Sequence, residues 1–480
     1  MIPLFQQLRS RHPLAVDLLF LLAIGGTVLF AFLGQNRNWA SREIRHAEIM
    51  REMAETGDYL VPRLLGEVYY DKPPVMHFIG ATLMRASGEP NLFHARFPSA
   101  LAALISMLAV YGLGRMLGGR RVGLWAAFTL LAMPGFWIMA RVARPDLTLV
   151  ALILLSCLFL GWAMQRPYGW VQSAWLAASG VASALGVITK GPYGLLVPLL
   201  FLALAPRENN GLVRPGWRFL WFGAGFALML GAWAGPVYLR DGGEYLRGVL
   251  FQEDLSTGGG SGHFEPFYWY LGSGFVQSLP VILFLPLAIQ QWRRERRFPA
   301  ALVIAAVILF VISCVPGKRR HYLLPLLPFL ALGLAAGMVY FGQQQQRLRR
   351  LALAAVIGGV AAGPLYYGPI LQLMRPQGDS EWDFITDVAE ALPPDATVVC
   401  FGAMDEYLAW VRRDHRGIIS VQSLAEAEAA LQAGEGDRYL VASDDDLLAL
   451  EEDPDLDHLA PLLERAIDRK GPWLLAHLQP

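Results

Sequence analysis

The chain has 480 residues, of which 55% are hydrophobic and only 17% charged, with mean hydropathy +0.38. Soluble proteins carry about 25% charged residues, so a conventional globular enzyme is excluded; disorder requires low hydrophobicity and high net charge, the opposite balance. The formal charge of zero conceals two unlike halves: residues 379–480 hold 23 acidic and 7 basic side chains, the rest of the chain 17 acidic and 33 basic.

Apolar runs near the ~20 residues of a bilayer-crossing helix predict eleven spans. They lie at roughly 14–34, 96–117, 123–141, 146–164, 171–188, 191–205, 218–239, 268–291, 298–314, 321–341 and 350–373. The first segment has no A-x-A-like cleavage site and is expected to be a retained anchor. Val75–Met84 is too short to span comfortably and is read as an interfacial helix. Short arginine-rich segments around Arg9, Arg120, Arg166, Arg214, Arg294 and Arg349 then share one side, which makes the N-terminus cytoplasmic. An odd number of spans puts the C-terminal part on the outer side.

Beyond Arg375 the pattern becomes that of a small α/β domain. Ala396–Phe401, Ile418–Val421 and Tyr439–Ala442 read as short buried strands, and Ser423 to Glu426 has capping-box spacing before a helix. Residues 1–375 are thus expected to form the membrane domain, with 35–95 as its first outer loop, and 376–480 an acidic outer domain. The acidity itself fits an ordinary solvated surface. Three cysteines, Cys157, Cys314 and Cys400, supply no disulfide framework.

Lysine is used sparingly: Lys72, Lys190, Lys318 and Lys470 stand beside 36 arginines. The first three fall in outer loops at membrane edges, where a point charge suits an anionic headgroup or simply snorkels. The helix opening at Ser41–Glu48 is dense in charge, with Glu43, Arg45, His46 and Glu48, through function or through helical pairing. Asp146 enters a span, where a carboxylate has a partner, a function or a capping role. The glycine run Gly258–Gly262 before His263 lacks the GK[ST] ending of a phosphate loop, so nucleotide binding is rejected. No nucleic-acid partner is expected.

Taken in order, Arg42–Met53, Gly57–Pro62, Tyr69–Pro73, Asp146, Thr189–Gly191, His263–Tyr270 with Ser278–Pro280, and Gly317–Lys318 carry a family resemblance. They resemble the aminoarabinose transferase and protein O-mannosyltransferase superfamily, and more closely the bacterial family 39 glycosyltransferases that modify lipid A. The resemblance implies a GT-C-type bundle in the inner membrane with an extracytoplasmic cavity. It implies transfer of a sugar from a polyprenyl-phosphate donor to a glycolipid such as lipid A, another glycan or a protein. The family's first-loop motif usually begins Asp-Glu, with the Asp as catalytic carboxylate; here Arg42 stands at that position and His46 replaces a usual Tyr. A second reading follows from this departure: a degenerate member that binds polyprenyl phosphate or assists a partner transferase.

The expected site has Glu43 and Asp146 sharing an acid–base or orienting role, with Arg42 adding positive charge. Lys72, Lys190 and Lys318, with Arg45, are expected to bind the donor phosphate. Asp71 and His263, carried over from the family positions, form a divalent-metal pair for zinc or a similar ion, or only make hydrogen bonds.

Overall fold

The computed structural model describes residues 12–35, 43–166, 168–205, 212–252, 265–295, 300–315, 317–370, 381–401, 404–421, 423–433, 437–443, 459–466 and 472–478. Its architecture is a multi-pass helical membrane bundle with a small α/β unit. Among the described residues six helices are long and apolar enough to cross a membrane. They are Pro13–Phe30, Leu92–Leu131, Asp146–Met164, Trp170–Lys190, Gly216–Asp241 and Gln346–Gly368.

The expected eleven spans differ from this set for identifiable reasons. Leu92–Leu131 is 40 residues long, about 60 Å if straight, twice the hydrocarbon thickness. It is not straight: Gly119 has φ 83°, and a Cβ on Gly123 would lie 2.6 Å from the Tyr111 carbonyl oxygen. Residues twelve apart in a straight helix are about 18 Å apart, so the chain reverses at Gly119. The predicted runs 96–117 and 123–141 therefore begin as the two arms of one tight hairpin. Gly119 supplies the left-handed φ that other residues resist.

The run 268–291 is broken rather than straight, its halves Trp269–Gln277 and Val281–Arg294 meeting at 104°. Pro280, at the break, has no N–H to continue a helical ladder. The runs 191–205 and 298–314 hold the shorter apolar helices Tyr193–Leu204 and Ala300–Cys314. Leu327–Gln344 fills most of the run at 321–341. Val75–Ser87 is 13 residues long, short for a span.

A buried carboxylate in the first span is matched. Asp17 accepts from Arg120 Nε and Nη2 at 2.6 Å each and from the Tyr111 hydroxyl at 2.8 Å. This ties Pro13–Phe30 to both arms of the hairpin.

The C-terminal part forms a five-stranded sheet from β3 (Thr397–Phe401), β4 (Ile418–Val421), β5 (Arg438–Ser443), β6 (Leu459–Ala466) and β7 (Pro472–Leu478), in the order β4-β3-β5-β7-β6. The two pairs around β3 are parallel, and β7 runs antiparallel to both neighbours. A small hairpin, β1 (Arg63–Leu64) with β2 (Glu67–Val68), lies between the Glu43–Thr56 and Val75–Ser87 helices. Ser423 caps the Leu424–Gln432 helix by accepting from the Glu426 amide, as its spacing predicts.

The sheet unit shares its apolar core with the Glu43–Thr56 helix. Ile44, Ala47, Met50 and Met53 pack in one cluster with Phe384, Ile385, Leu408 and Trp410. The boundary expected at 375/376 falls outside the described residues.

Candidate functional site

The Glu43–Thr56 helix is buried along most of its length although five of its side chains are acidic or basic at the buried positions Glu43, His46, Glu48, Arg51 and Glu52. Buried charge requires partners, and each partner comes from elsewhere in the fold or from the helix itself. Glu43 accepts from Arg96 Nε at 2.8 Å and Nη2 at 3.1 Å, and from the Ala143 amide at 2.8 Å. Arg51 donates to both oxygens of Glu48, to Glu55 at 2.6 Å and to the Arg413 carbonyl at 3.0 Å. Glu52 accepts from the Leu65 and Gly66 amides of the β1–β2 turn.

The partners of Glu43 are all protein groups. Its Oε1 already has two donors, and the carboxylate is clamped side-on by a guanidinium in a site closed to solvent. These bonds tie the loop helix to the membrane bundle. Glu48 is similarly held, its carboxyl raised by burial and partly restored by Arg51.

Asp146 differs. It begins the Asp146–Met164 helix at the membrane edge and is bonded by the Lys190 ammonium at the end of Trp170–Lys190. Its Oδ2 is buried without a hydrogen-bond partner. Lys190 Nζ also lies 5.0 Å over the Tyr322 ring. Arg144 and His321 are further charge neighbours of Asp146. A carboxylate with one oxygen held and the other without a hydrogen bond can orient or accept a proton from a group that reaches it.

A second cluster is a buried histidine couple. His46 Nδ1 and His77 Nε2 are 3.0 Å apart, and Tyr69 stands edge-on to His46 with ring centroids 6.5 Å apart. Burial lowers both imidazoles, His77 to about 3, and for His46 the neighbouring His77, Arg144, Arg45 and Lys72 act in the same direction. Both rings are neutral at physiological pH. Arg144 is a charge neighbour of both His46 and Asp146 and so links the two clusters.

The predicted cations are distributed unevenly. Lys72 is beside His46 and donates to the Asp71 carbonyl at 2.6 Å. Arg45 is bound by Glu406 of the C-terminal unit. Lys318 is buried and donates to the Val315 carbonyl at 2.8 Å. Arg42 and His263 lie outside the described residues. Sequence reasoning missed His77 and His321, and took Arg144 only as part of the Arg144-Pro145-Asp146 motif without giving it a role.

For a metal, carboxylate oxygen and imidazole nitrogen suit zinc, but only Asp71 of the predicted pair is described. Among the described residues the metal-capable groups that converge are Glu48, Glu52 and His415, with ligand atoms within 4.8 Å of one another. Arg51 and the two backbone amides already engage both carboxylates.

The family described as dolichyl-phosphate-mannose-protein mannosyltransferase matches residues 71–233, and the Alg9-like mannosyltransferase family matches 259–368. A relative from Pseudomonas aeruginosa, undecaprenyl phosphate-alpha-4-amino-4-deoxy-L-arabinose arabinosyl transferase, is 30% identical over 371 residues, 70% of this chain and 62% of its own. The same-named protein of Aeromonas salmonicida is 28% identical over 319 residues, 64% of this chain and 57% of its own. The chain thus spans roughly three-fifths of the length of these relatives. The crystal structure of ArnT from Cupriavidus metallidurans bound to undecaprenyl phosphate superposes with TM-score 0.75 at 19% identity, covering 96% of this chain and 98% of that one. An archaeal oligosaccharyltransferase from Archaeoglobus fulgidus superposes with TM-score 0.55 at 11% identity, covering 91% and 70%. In sequence the chain is similar to the undecaprenyl-phosphate aminoarabinose transferases and, over two stretches, to mannosyltransferase families, and in fold it is similar to ArnT.

Proposed function

We propose that this protein is an inner-membrane glycosyltransferase that moves a sugar from a polyprenyl-phosphate donor to an extracytoplasmic acceptor: lipid A or lipopolysaccharide, another glycan, or a protein. The observation that carries the reading is Asp146, a carboxylate at the membrane edge with one oxygen held by Lys190 and the other buried and open. The relatives' names and the undecaprenyl phosphate in the superposed transferase support a donor of that class.

In transfer, the anomeric carbon–oxygen bond to phosphate breaks as the acceptor oxygen attacks, and negative charge grows on the departing phosphate. Lys72, Arg144 and Arg45 surround the neutral His46 and supply fixed positive charge to meet it. Asp146 orients the acceptor hydroxyl and takes its proton at Oδ2, held in place by Lys190. Glu43 acts at one remove, by anchoring the loop helix through Arg96. Lys190 contributes to the phosphate only by sharing its charge with Asp146, and Lys318 contributes least because it is turned to a carbonyl. A divalent ion at Asp71 and His263 would add positive charge there; metal analysis of the parent and His263→Ala proteins tests it, equal content removing His263 as a ligand.

Orientation belongs to the same proposal, with the N-terminus cytoplasmic and the C-terminal unit outside. Reporter fusions after Arg120, Arg294 and Arg375 should read inside, inside and outside. The second reading, a binder without turnover, is favoured by one feature, Arg42 at the usual aspartate position. Purified protein incubated with polyprenyl-phosphate sugars separates the two: sugar transfer supports the enzyme, while saturable binding without transfer in every acceptor fraction supports the binder. Turnover that appears only in Arg42→Asp marks a degenerate transferase.

A further inference from the structure

The C-terminal unit is joined to the Glu43–Thr56 helix by polar contacts as well as by the shared apolar core. Arg51 Nη1 donates to the Arg413 carbonyl, and Arg45 donates from Nε to Glu406 Oε1, with Nη2 in ion-pair contact with the same oxygen. The Met404–Arg412 helix that carries Glu406 packs its Tyr407 and Leu408 into the cluster containing Ile44, Ala47 and Met50.

The two charged partners are not equally buried. The Glu406 side chain is 4% exposed and the Arg45 side chain 26%. The carboxylate therefore belongs to the docked interior, and the guanidinium reaches its edge. Among the described residues Arg45 bonds only Glu406, along one edge of its planar fork. A guanidinium has five N–H donors, so the Nη1 end is left for a ligand. Arg45 also lies close enough to Tyr69 and Asp71 for their charges to act on it, next to Lys72.

From this we infer that the C-terminal unit completes the donor-phosphate site, with Glu406 as the positioning residue that holds Arg45 ready for the phosphate. The inference rests on the donor reading above. Holding a long side chain before the ligand arrives removes part of the ordering cost of binding. Both family matches end at or before residue 368, so Glu406 comes from a part of the chain that neither covers.

The test is a double-mutant cycle on the full-length protein in nanodiscs, with undecaprenyl phosphate as the probe. Dissociation constants are compared for the parent, Glu406→Gln, Arg45→Ala and the double variant. Glu406→Gln is expected to weaken binding about three- to ten-fold and to have no further effect in the Arg45→Ala background. Binding as tight as the parent, or tighter, overturns the inference; tighter binding would make Glu406 a competitor of the phosphate. An equal loss in both backgrounds also overturns it, because general undocking of the unit would then be the cause. Failure of the parent itself to bind removes the donor reading and this inference with it. Should Glu406→Gln fail to fold, Glu406→Asp keeps the charge, shortens the reach and is judged by the same outcomes.

Discussion

Glu43 and Asp146 are both buried carboxylates at the starts of helices, and both are bonded by a cation from another helix. Glu43 is clamped by Arg96 and the Ala143 amide. Asp146 is held at Oδ1 alone, and its Oδ2 is buried without a partner. Burying an unsatisfied polar atom costs about 1–3 kcal/mol, and a fold retains such a cost where it has a use for the atom. Under the proposed function, the contrast separates an anion that holds the structure together from one that takes part in transfer, although the two look alike in sequence.

The strongest way to break this comparison is to remove the clamp. Arg96→Ala leaves Glu43 buried and unpaired and is expected to destabilise the protein by about 3–5 kcal/mol. Thermal unfolding in detergent measures it, and Glu43→Gln added to Arg96→Ala should recover part of the loss. A melting temperature unchanged in Arg96→Ala would show that the pair does not anchor the loop.

Asp146→Asn should lower kcat for sugar transfer about a hundred-fold, at the lower end of general-base effects, with donor affinity changed much less. Glu43→Gln should lose stability before it loses turnover per folded molecule. Were the two variants to lose kcat equally at equal stability, the distinction between them would collapse.

Among the lysines, Lys72→Ala should weaken undecaprenyl phosphate binding about ten-fold, as expected for one charge-assisted contact. Lys318→Ala should change it little, because its ammonium is directed to the Val315 carbonyl. Equilibrium binding on both variants sharpens the map of the cationic face.

The smallest effect concerns pH. His77 falls from an ordinary 6.5 to about 3 in the folded protein, and His46 is lowered in the same sense. A histidine depressed in the native state binds its proton more readily when unfolded, so stability rises with pH across that window. The stabilisation is complete above about 6.5 and is progressively lost as pH falls toward 3. Melting temperatures between pH 7.5 and about 5 should therefore decline less in His77→Gln than in the parent.

Much of this molecule was legible before any coordinates. Low charge and long apolar runs required a membrane bundle, because the bilayer admits only helices that satisfy their own backbone. The strands at Thr397–Phe401, Ile418–Val421 and Arg438–Ser443 were visible as short apolar runs between turn residues. β6 and β7 were not, since LAPLLERA and PWLLAHL are rich in Leu and Ala, which favour helix. Only pairing beside β5 makes them strands, and β-structure is decided by such neighbours. The kinks had local causes in Gly119 and Pro280, yet how far the chain turns at each depends on what packs beyond it.

Residue chemistry and family resemblance singled out Asp146, Lys72 and Lys190 from sequence alone, because rare charges at membrane edges stand out against an apolar chain. Tertiary structure alone decided which charge meets which. Arg96 lies 53 residues from Glu43, Lys190 lies 44 from Asp146, and Glu406 lies 361 from Arg45. Hydrophobic periodicity reports which face of an element is buried, but it carries no record of the partner across a fold. Electrostatic pairing depends on distances of a few ångströms in three dimensions, and those are set only when the helices and the sheet have packed.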